Sequence, residues 1–203
     1  GPDRIFILAE KKFYMLTNIE IFSKNYNPKA EFKNIPILHE TLGIFYPKDS
    51  QAVILHGVNE LDRKKYIVIY DFIQDLTIGT IFLGNDISSQ NLLIQANTNH
   101  DHSISHIALA NKDHVFIYKG PFANREMCPP QIIDINNYSI LLFQFGKIKF
   151  ADSNSSLTMR DALYIITKED KKLRIYLIDN NDYLTETQTQ FEFFELQKKY
   201  IHA

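Results

Sequence analysis

The chain has 203 residues, of which 45% are hydrophobic and 23% are charged, and its formal net charge is −2. This composition supports a buried core, and the near-neutral balance argues against a general grip on nucleic acid, which needs a basic surface. No apolar stretch approaches the ~18 residues of a membrane helix. The single cysteine, Cys128, cannot form an internal disulfide. We therefore expect an intracellular protein, cytoplasmic or nuclear, without a membrane span.

Four short apolar segments mark a strand that recurs along the chain. They are Ile19–Phe22, Ile67–Tyr70, Val115–Tyr118 and Leu173–Tyr176, and they are rich in the β-branched and aromatic residues that strands prefer. Aligned on their last residues, at 22, 70, 118 and 176, the segments are 48, 48 and 58 positions apart. Periods of about 40–50 residues are typical of propeller blades.

Each repeat is predicted to contain four antiparallel strands. The first unit, residues 5–38, fits least well, since its hairpin turn lies either at Glu10-Lys11-Lys12 or at Thr17-Asn18. Hairpins are clearer in units 39–84, 90–136 and 138–196, where they join 52–58 to 66–70, 104–110 to 114–118 and 162–167 to 173–178. A further strand follows each hairpin, at 30–37, 77–83, 131–135 and 187–194, and a strand opens each later unit, at 42–46, 92–96 and 139–145.

The pattern predicts an all-β fold with a single domain over residues 3–203. Gly1-Pro2 is interpreted as the scar of a removed tag. The favoured architecture is a β-propeller-like repeat of about four blades, either a small or a partial propeller, and the alternative is an irregular β-sandwich. Helices are candidates only at 88–93 and 192–200. We expect residues 185–193 to pair as a strand with Arg4–Leu8 and so protect both terminal edges.

The tripeptide Ile69-Tyr70-Asp71 and the hairpin before it resemble the WD-repeat family of β-propellers. The Trp-Asp and Gly-His dipeptides of that family are absent from this chain. The resemblance therefore implies a blade architecture that serves as a scaffold, and it assigns no functional residue.

The segment Asn99–His106 is the one most similar to a metal or catalytic site. In an extended strand His100, His102 and His106 would share one face, and three imidazoles suit zinc. The step from His102 to His106 would span about 13 Å, too far for one ion without a bend. We therefore expect a polar loop that enters a strand and no metal site, with a metal-dependent enzyme as an alternative.

Other catalytic patterns find no support in the sequence. There is no Gly-x-Ser-x-Gly elbow and no phosphate-binding loop. Cys128 lies in a proline-rich turn without the positive setting that a reactive thiolate needs. Paired carboxylates, such as Asp71 with Asp75, lie at turn positions that aspartate favours for backbone hydrogen bonding. The prediction is a protein that is not an enzyme and has no cofactor.

Basic residues gather at the predicted hairpin tips. If the units are blades, these tips form one rim, which could bind an acidic peptide, a phosphoinositide headgroup or RNA phosphate. Charged tips also arise from solvation alone, so anionic-ligand binding is an alternative. The leading prediction is a non-enzymatic protein–protein interaction or scaffold module within a larger complex, with a like or unlike protein partner that completes or covers the β-sheet. The candidate rim residues are Arg63, Lys64, Lys65, Lys112, Lys168, Lys171 and Lys172.

Overall fold

All regular structure in the described part of the chain is β. The computed structural model describes residues 4–17, 30–84, 87, 92–122, 129–135, 139–151, 157–169, 173–178 and 184–187. Within these ranges fifteen strands form four antiparallel sheets, three with four strands and one with three, and none of the sheets is closed. The predicted all-β class is confirmed. No helix in these ranges could span a bilayer.

The first sheet has three strands, β1 (Ile5–Ala9), β2 (Lys12–Leu16) and β3 (Ala30–Phe32), in the order β1-β2-β3. Its hairpin turn consists of Glu10 and Lys11, with φ values of 49° and 59°. Both central residues of a tight hairpin turn need positive φ, so the first of the two predicted turn positions is the one used. The marked segment 19–22 lies outside the described residues.

The second sheet is a four-stranded meander of β4 (Glu40–Phe45), β5 (Ala52–Val58), β6 (Lys65–Asp71) and β7 (Leu76–Leu83). Its central strands consist almost wholly of apolar residues, and Ile54, Leu55, Ile67, Val68 and Ile69 are fully buried. A strand without polar alternation fits a sheet that is covered on both faces. The predicted hairpin is confirmed, with Val53 opposite Tyr70 and Val58 opposite Lys65.

The third and fourth sheets repeat this strand order. The third comprises β8 (Leu93–Thr98), β9 (Ile104–Ala110), β10 (His114–Lys119) and β11 (Gln131–Asp134). The fourth comprises β12 (Ile140–Ala151), β13 (Leu157–Thr167), β14 (Leu173–Ile178) and β15 (Leu184–Thr187). Each of the four sheets lies within one of the four residue ranges proposed for the repeat. Treatment of residues 3–203 as a single domain stays a prediction.

The hairpin that opens the fourth sheet is longer than its counterpart in the third. Strands β12 and β13 have 12 and 11 residues, whereas β8 and β9 have 6 and 7, a difference of ten. The last step of the repeat, 58 instead of 48 positions, is longer by the same number. The irregular spacing therefore comes from two extended strands and not from a break in the repeat.

By internal contacts the chain divides into two compact units. The first is residues 1–107 with 118–129, and its core joins the first two sheets. Phe13 and Met15 of β2 pack there with apolar residues of β5 and β6. The rings of Phe13 and Tyr70 meet edge to face with centroids 5.8 Å apart, a favourable geometry for aromatic pairs.

The second unit is residues 108–117 with 130–203. Its main core joins one face of β9 and β10 to one face of the fourth sheet. On the opposite face of the fourth sheet lies a smaller apolar cluster. The main core contains Ala108, Ala110, Val115, Ile117, Ile135, Phe143, Leu163, Ile165 and Tyr176, and the smaller cluster contains Ala162, Ile175 and Leu177.

Several predicted elements lie partly or wholly outside the residues that the structure describes. The helix candidate 192–200 lies outside the described residues, as does most of the candidate 88–93, whose last residue instead begins β8. The last predicted strand starts three residues early, since β15 begins at Leu184 and pairs with β14. Among the described residues β1 pairs with β2 alone, so closure by the C-terminal segment stays a prediction.

Candidate interaction surfaces

The predicted rim residues that the structure describes all lie at hairpin tips. Arg63 and Lys64 form the end of the turn between β5 and β6, and Lys65 begins β6. Lys112 lies in the turn between β9 and β10, and Lys168 follows β13. Arg63, Lys64 and Lys65 thus share one tip in the first of the two compact units. Lys112 and Lys168 lie on separate hairpins of the second compact unit. Lys171 and Lys172 lie outside the described residues.

Asparagine side chains build two of these tips. Asn59 Oδ1 accepts hydrogen bonds from the backbone N–H groups of Leu61 and Asp62 at 2.8 and 3.3 Å. Asn111 Oδ1 accepts from Asp113 and His114 at 2.8 and 2.7 Å. Such local bonds replace the missing strand pairing in a tight turn. They are the reason that the chain reverses at these positions.

Carboxylates lie beside the basic residues at each tip. Residues 59–65 contain two carboxylates, Glu60 and Asp62, as well as three basic side chains. Glu169 follows Lys168 directly. A hydrogen bond from the Lys64 backbone N–H lowers the pKa of Asp62, and one from the Ser139 N–H lowers that of Glu169. Both carboxylates are therefore charged at neutral pH. The tips are mixed in charge, which weakens the attraction of any one tip for a polyanion.

The histidine-rich segment is a turn that leads into a strand. His100 and His102 lie in the β8–β9 turn, and His102 has a φ of 67° and places its Nδ1 2.6 Å from the Asp49 carbonyl oxygen. His106 lies on β9 with its Nδ1 3.1 Å from Ser105 Oγ. The three imidazoles do not share a strand face, because the backbone turns before β9 begins. Within the described residues no cluster of three metal-ligating side chains occurs.

A polar network in the first unit was missed by sequence reasoning. The Lys33 ammonium is almost fully buried and lies 3.0 Å from Glu31 Oε1 and 3.1 Å from Asp75 Oδ2. The Tyr70 hydroxyl donates a hydrogen bond to the other oxygen of Asp75. Burial opposes the charge on Lys33, but hydrogen bonds to the two carboxylates raise its pKa. This network ties the end of β3 to the β6–β7 turn.

A surface cleft of about 460 Å³ lies beside this network. Lys33, Asp75 and Tyr70 line it together with Phe32. Lys33 and Tyr70 both bond Asp75, so these three polar side chains are already engaged with one another. The network is a structural bridge between the first two sheets.

Among the described residues, the outer face of the first sheet is apolar and partly open. The strand registers place Ile5, Ile7, Tyr14, Leu16 and Phe32 on one side, away from Phe13 and Met15. Ile5 and Phe32 remain 46% and 49% exposed, Ile7 and Tyr14 are half-buried, and Leu16 is buried. The Tyr14 and Phe32 rings lie 5.7 Å apart, and the Lys12 ammonium lies 5.8 Å from the Phe32 ring. We call this set the first-sheet face.

A second aromatic pair provides a close structural match for this one. Phe82 of β7 is 48% exposed, its ring lies 5.6 Å from that of Tyr66, and the Lys64 ammonium lies 5.1 Å from the ring centroid. The two pairs thus share exposure, ring spacing and a neighbouring cation. The difference is that Phe82 is not part of a continuous apolar face, since Thr80 beside it on the strand is also exposed.

Comparison of the chain with protein-family models, with curated proteins and with solved structures finds no match. The similarity to WD repeats therefore stays a prediction.

Proposed function

We propose that this chain is a protein–protein interaction module without catalytic activity, and that the first-sheet face is the surface a partner covers. The supporting observation is a mismatch between sequence and burial. β1 and β2 read Ile-Phe-Ile-Leu and Phe-Tyr-Met-Leu, continuous apolar runs like those of β5 and β6. Such runs occur where both faces of a sheet are covered. β5 and β6 meet this condition, but among the described residues the outer face of β1 and β2 is only partly covered, with Ile5 46% exposed.

The size of the face indicates what kind of partner it needs. Strands of five, five and three residues, at about 3.3 Å per residue and about 4.8 Å between strands, give a patch of roughly 200 Å². A stable interface buries about 800 Å² on each partner. Two copies that met through this patch alone would bury too little. Any partner must also contact this chain beyond the patch, and we propose a different protein, with a carboxylate to meet Lys12.

The repeat supports a blade-like arrangement for the scaffold. The sheets follow the chain one per unit, the four-stranded sheets are meanders in sequence order, and the core strands of the second sheet are buried on both faces. These features favour a small or partial β-propeller of about four blades over an irregular sandwich. A partial propeller would leave a terminal sheet face open, which agrees with the exposure of the first sheet.

Two matched variants test the proposal. Phe32→Thr and Phe82→Thr each remove a half-exposed ring from a tyrosine–lysine setting, and threonine suits a strand. Both should lose similar stability, because each ring is buried to the same extent. The chain and each variant would be used to isolate partners, and the candidate partner would then be purified and its affinity measured by calorimetry.

The expected result is a partner that binds the wild type and Phe82→Thr with equal affinity and binds Phe32→Thr at least tenfold more weakly. Burial of an aromatic anchor at an interface commonly has an effect of this size. Equal weakening by both variants would refute the role of the first-sheet face. So would a wild-type chain that self-associates through this face, shown by light scattering of the two variants.

A further inference from the structure

The extended hairpin of the fourth sheet forms a two-stranded arm. We use this name for residues 147–151 of β12 and 157–161 of β13, which pair with each other as far as Ala151 opposite Leu157. Among the described residues β13 pairs with β14 only from Ala162 to Ile166, so the arm continues past the rest of the sheet. A two-stranded ribbon is marginally stable alone in water. Pairing with a third strand would therefore stabilise an arm of this kind.

The arm accounts for much of the ten-residue difference between the third and fourth repeats. Added residues in a repeat protein are common on the face that binds partners, because the scaffold does not need them. The other described repeats have short strands at this position, β4 with 6 residues and β8 with 6. The arm is therefore an addition to the scaffold and not part of its core.

The root of the arm is held in place by one tyrosine. The Tyr164 hydroxyl donates a hydrogen bond of 3.1 Å to the Lys147 carbonyl oxygen. The Tyr164 ring also covers Gly146, where an added Cβ would lie 2.9 Å from ring atom Cε2. A larger residue here would displace the ring. The arm thus leaves the sheet in a defined direction.

The free edge of the arm carries positive charge. In the described residues β12 is the edge strand of its sheet and pairs with β13 alone. Lys147 and Lys149 are exposed on one face of it, where Asp161 lies opposite Lys147 and Met159, 57% exposed, lies opposite Lys149. Lysines on an edge strand prevent two like edges from pairing, since they would bring cation against cation. The same lysines favour a strand that carries carboxylates.

We propose that an extended acidic segment of a partner protein adds to the β12 edge of the arm as a further strand. The backbone groups of residues 147–151 that neither β13 nor Tyr164 uses supply the hydrogen bonds, Lys147 and Lys149 select alternate carboxylates, and Met159 provides an apolar contact. A second copy of this chain is disfavoured because it would present the same lysines. The inference rests on the proposed function in that the ligand is a protein, but it uses a different surface from the first-sheet face.

The test uses synthetic peptides with the full chain. Two fluorescent ten-residue peptides, one alternating Glu with Val and one alternating Lys with Val, would be titrated by anisotropy at low and high salt. The tested variant is Lys147→Glu with Lys149→Glu. The control, Lys48→Glu with Lys119→Glu, makes the same change of charge at two exposed lysines outside both the arm and the predicted rim. Circular dichroism would verify that both variants fold, and hydrogen exchange would report on the amides of residues 147–151.

The wild type and the control should bind the acidic peptide at least tenfold more tightly than the basic one, and the arm variant should reverse that preference. The acidic peptide should also slow exchange at residues 147–151, which charge attraction alone would not do. Equal affinity for both peptides, an unchanged preference in the arm variant, or unprotected arm amides would overturn the proposal. Binding of a duplex RNA in place of the peptide would also overturn it. None of these outcomes alters partner retention by the Phe32 and Phe82 variants, so the two proposals fail separately.

Discussion

Substitution Gly79→Ala should destabilise the chain through a backbone contact that only glycine permits. Gly79 is buried on β7, and a Cβ there would lie 2.5 Å from Phe122 Cβ and 2.7 Å from the Phe122 carbonyl oxygen. Carbon atoms in contact are ordinarily about 3.5–4.0 Å apart, so the backbone near Phe122 must move by about 1 Å. Overpacking of this kind costs about 1–3 kcal/mol.

Part of that cost is offset, because alanine restricts the unfolded chain and so stabilises by about 0.4–1 kcal/mol. The net loss should be about 1–2 kcal/mol, or a fall in Tm of roughly 2–8 °C for a chain of this length. Urea unfolding followed by circular dichroism measures it. Gly43→Ala is the control, since its Cβ would meet nothing closer than His56 Nδ1 at 3.9 Å. A Gly79→Ala protein as stable as Gly43→Ala would refute the packing of Phe122 against β7.

Three further effects on stability are expected, each measured by urea unfolding. Leu163→Ala, at a fully buried core position, should cost about 2–5 kcal/mol, whereas Met159→Ala, at an exposed one, should cost less than about 1 kcal/mol; similar losses would contradict the assigned core. Burial, and secondarily a nearby lysine, lower the pKa of His56 from 6.5, so the unfolded chain binds a proton before the folded chain does. The free energy of unfolding should therefore fall as the pH drops below 6.5. His56→Leu should remove this contribution to the pH dependence of stability, and an unchanged slope in the variant would count against the role of His56. The pKa of Lys33 is raised above 10.5, so its contribution to the free energy of unfolding should be intact below that pH and lost as the pH rises further. Lys33→Met should lack this loss of stability at alkaline pH. The same loss in the variant would show that another group causes it.

Strands and hairpins were predictable from the sequence because their signals are local. β5 and β6 are apolar runs separated by a polar turn, and Asn59 at its start supplies a local hydrogen-bond acceptor for that turn. The extension of β12 and β13 was not predicted. Their outer residues alternate, as in Lys147-Ile148-Lys149, but whether an alternating segment continues as a strand depends on a partner strand that local pattern does not reveal.

The candidate surfaces were predictable only in part. The positions of the basic tips follow from the hairpins, so Arg63, Lys64, Lys112 and Lys168 lie at tips as expected. The first-sheet face was not foreseen. Apolar runs in β1 and β2 indicate strands, but they do not tell which faces other sheets cover, because coverage depends on contacts between distant parts of the chain.

The central claim is that a partner protein covers the first-sheet face. Hydroxyl-radical footprinting of the purified complex, read by mass spectrometry, measures this directly on aromatic side chains. Phe32 and Tyr14 should react in the free chain and be protected in the complex, while Phe82, as exposed as Phe32, and its half-buried neighbour Tyr66 should react alike in both. Unchanged labelling of Phe32 and Tyr14 in a stable complex would contradict the account.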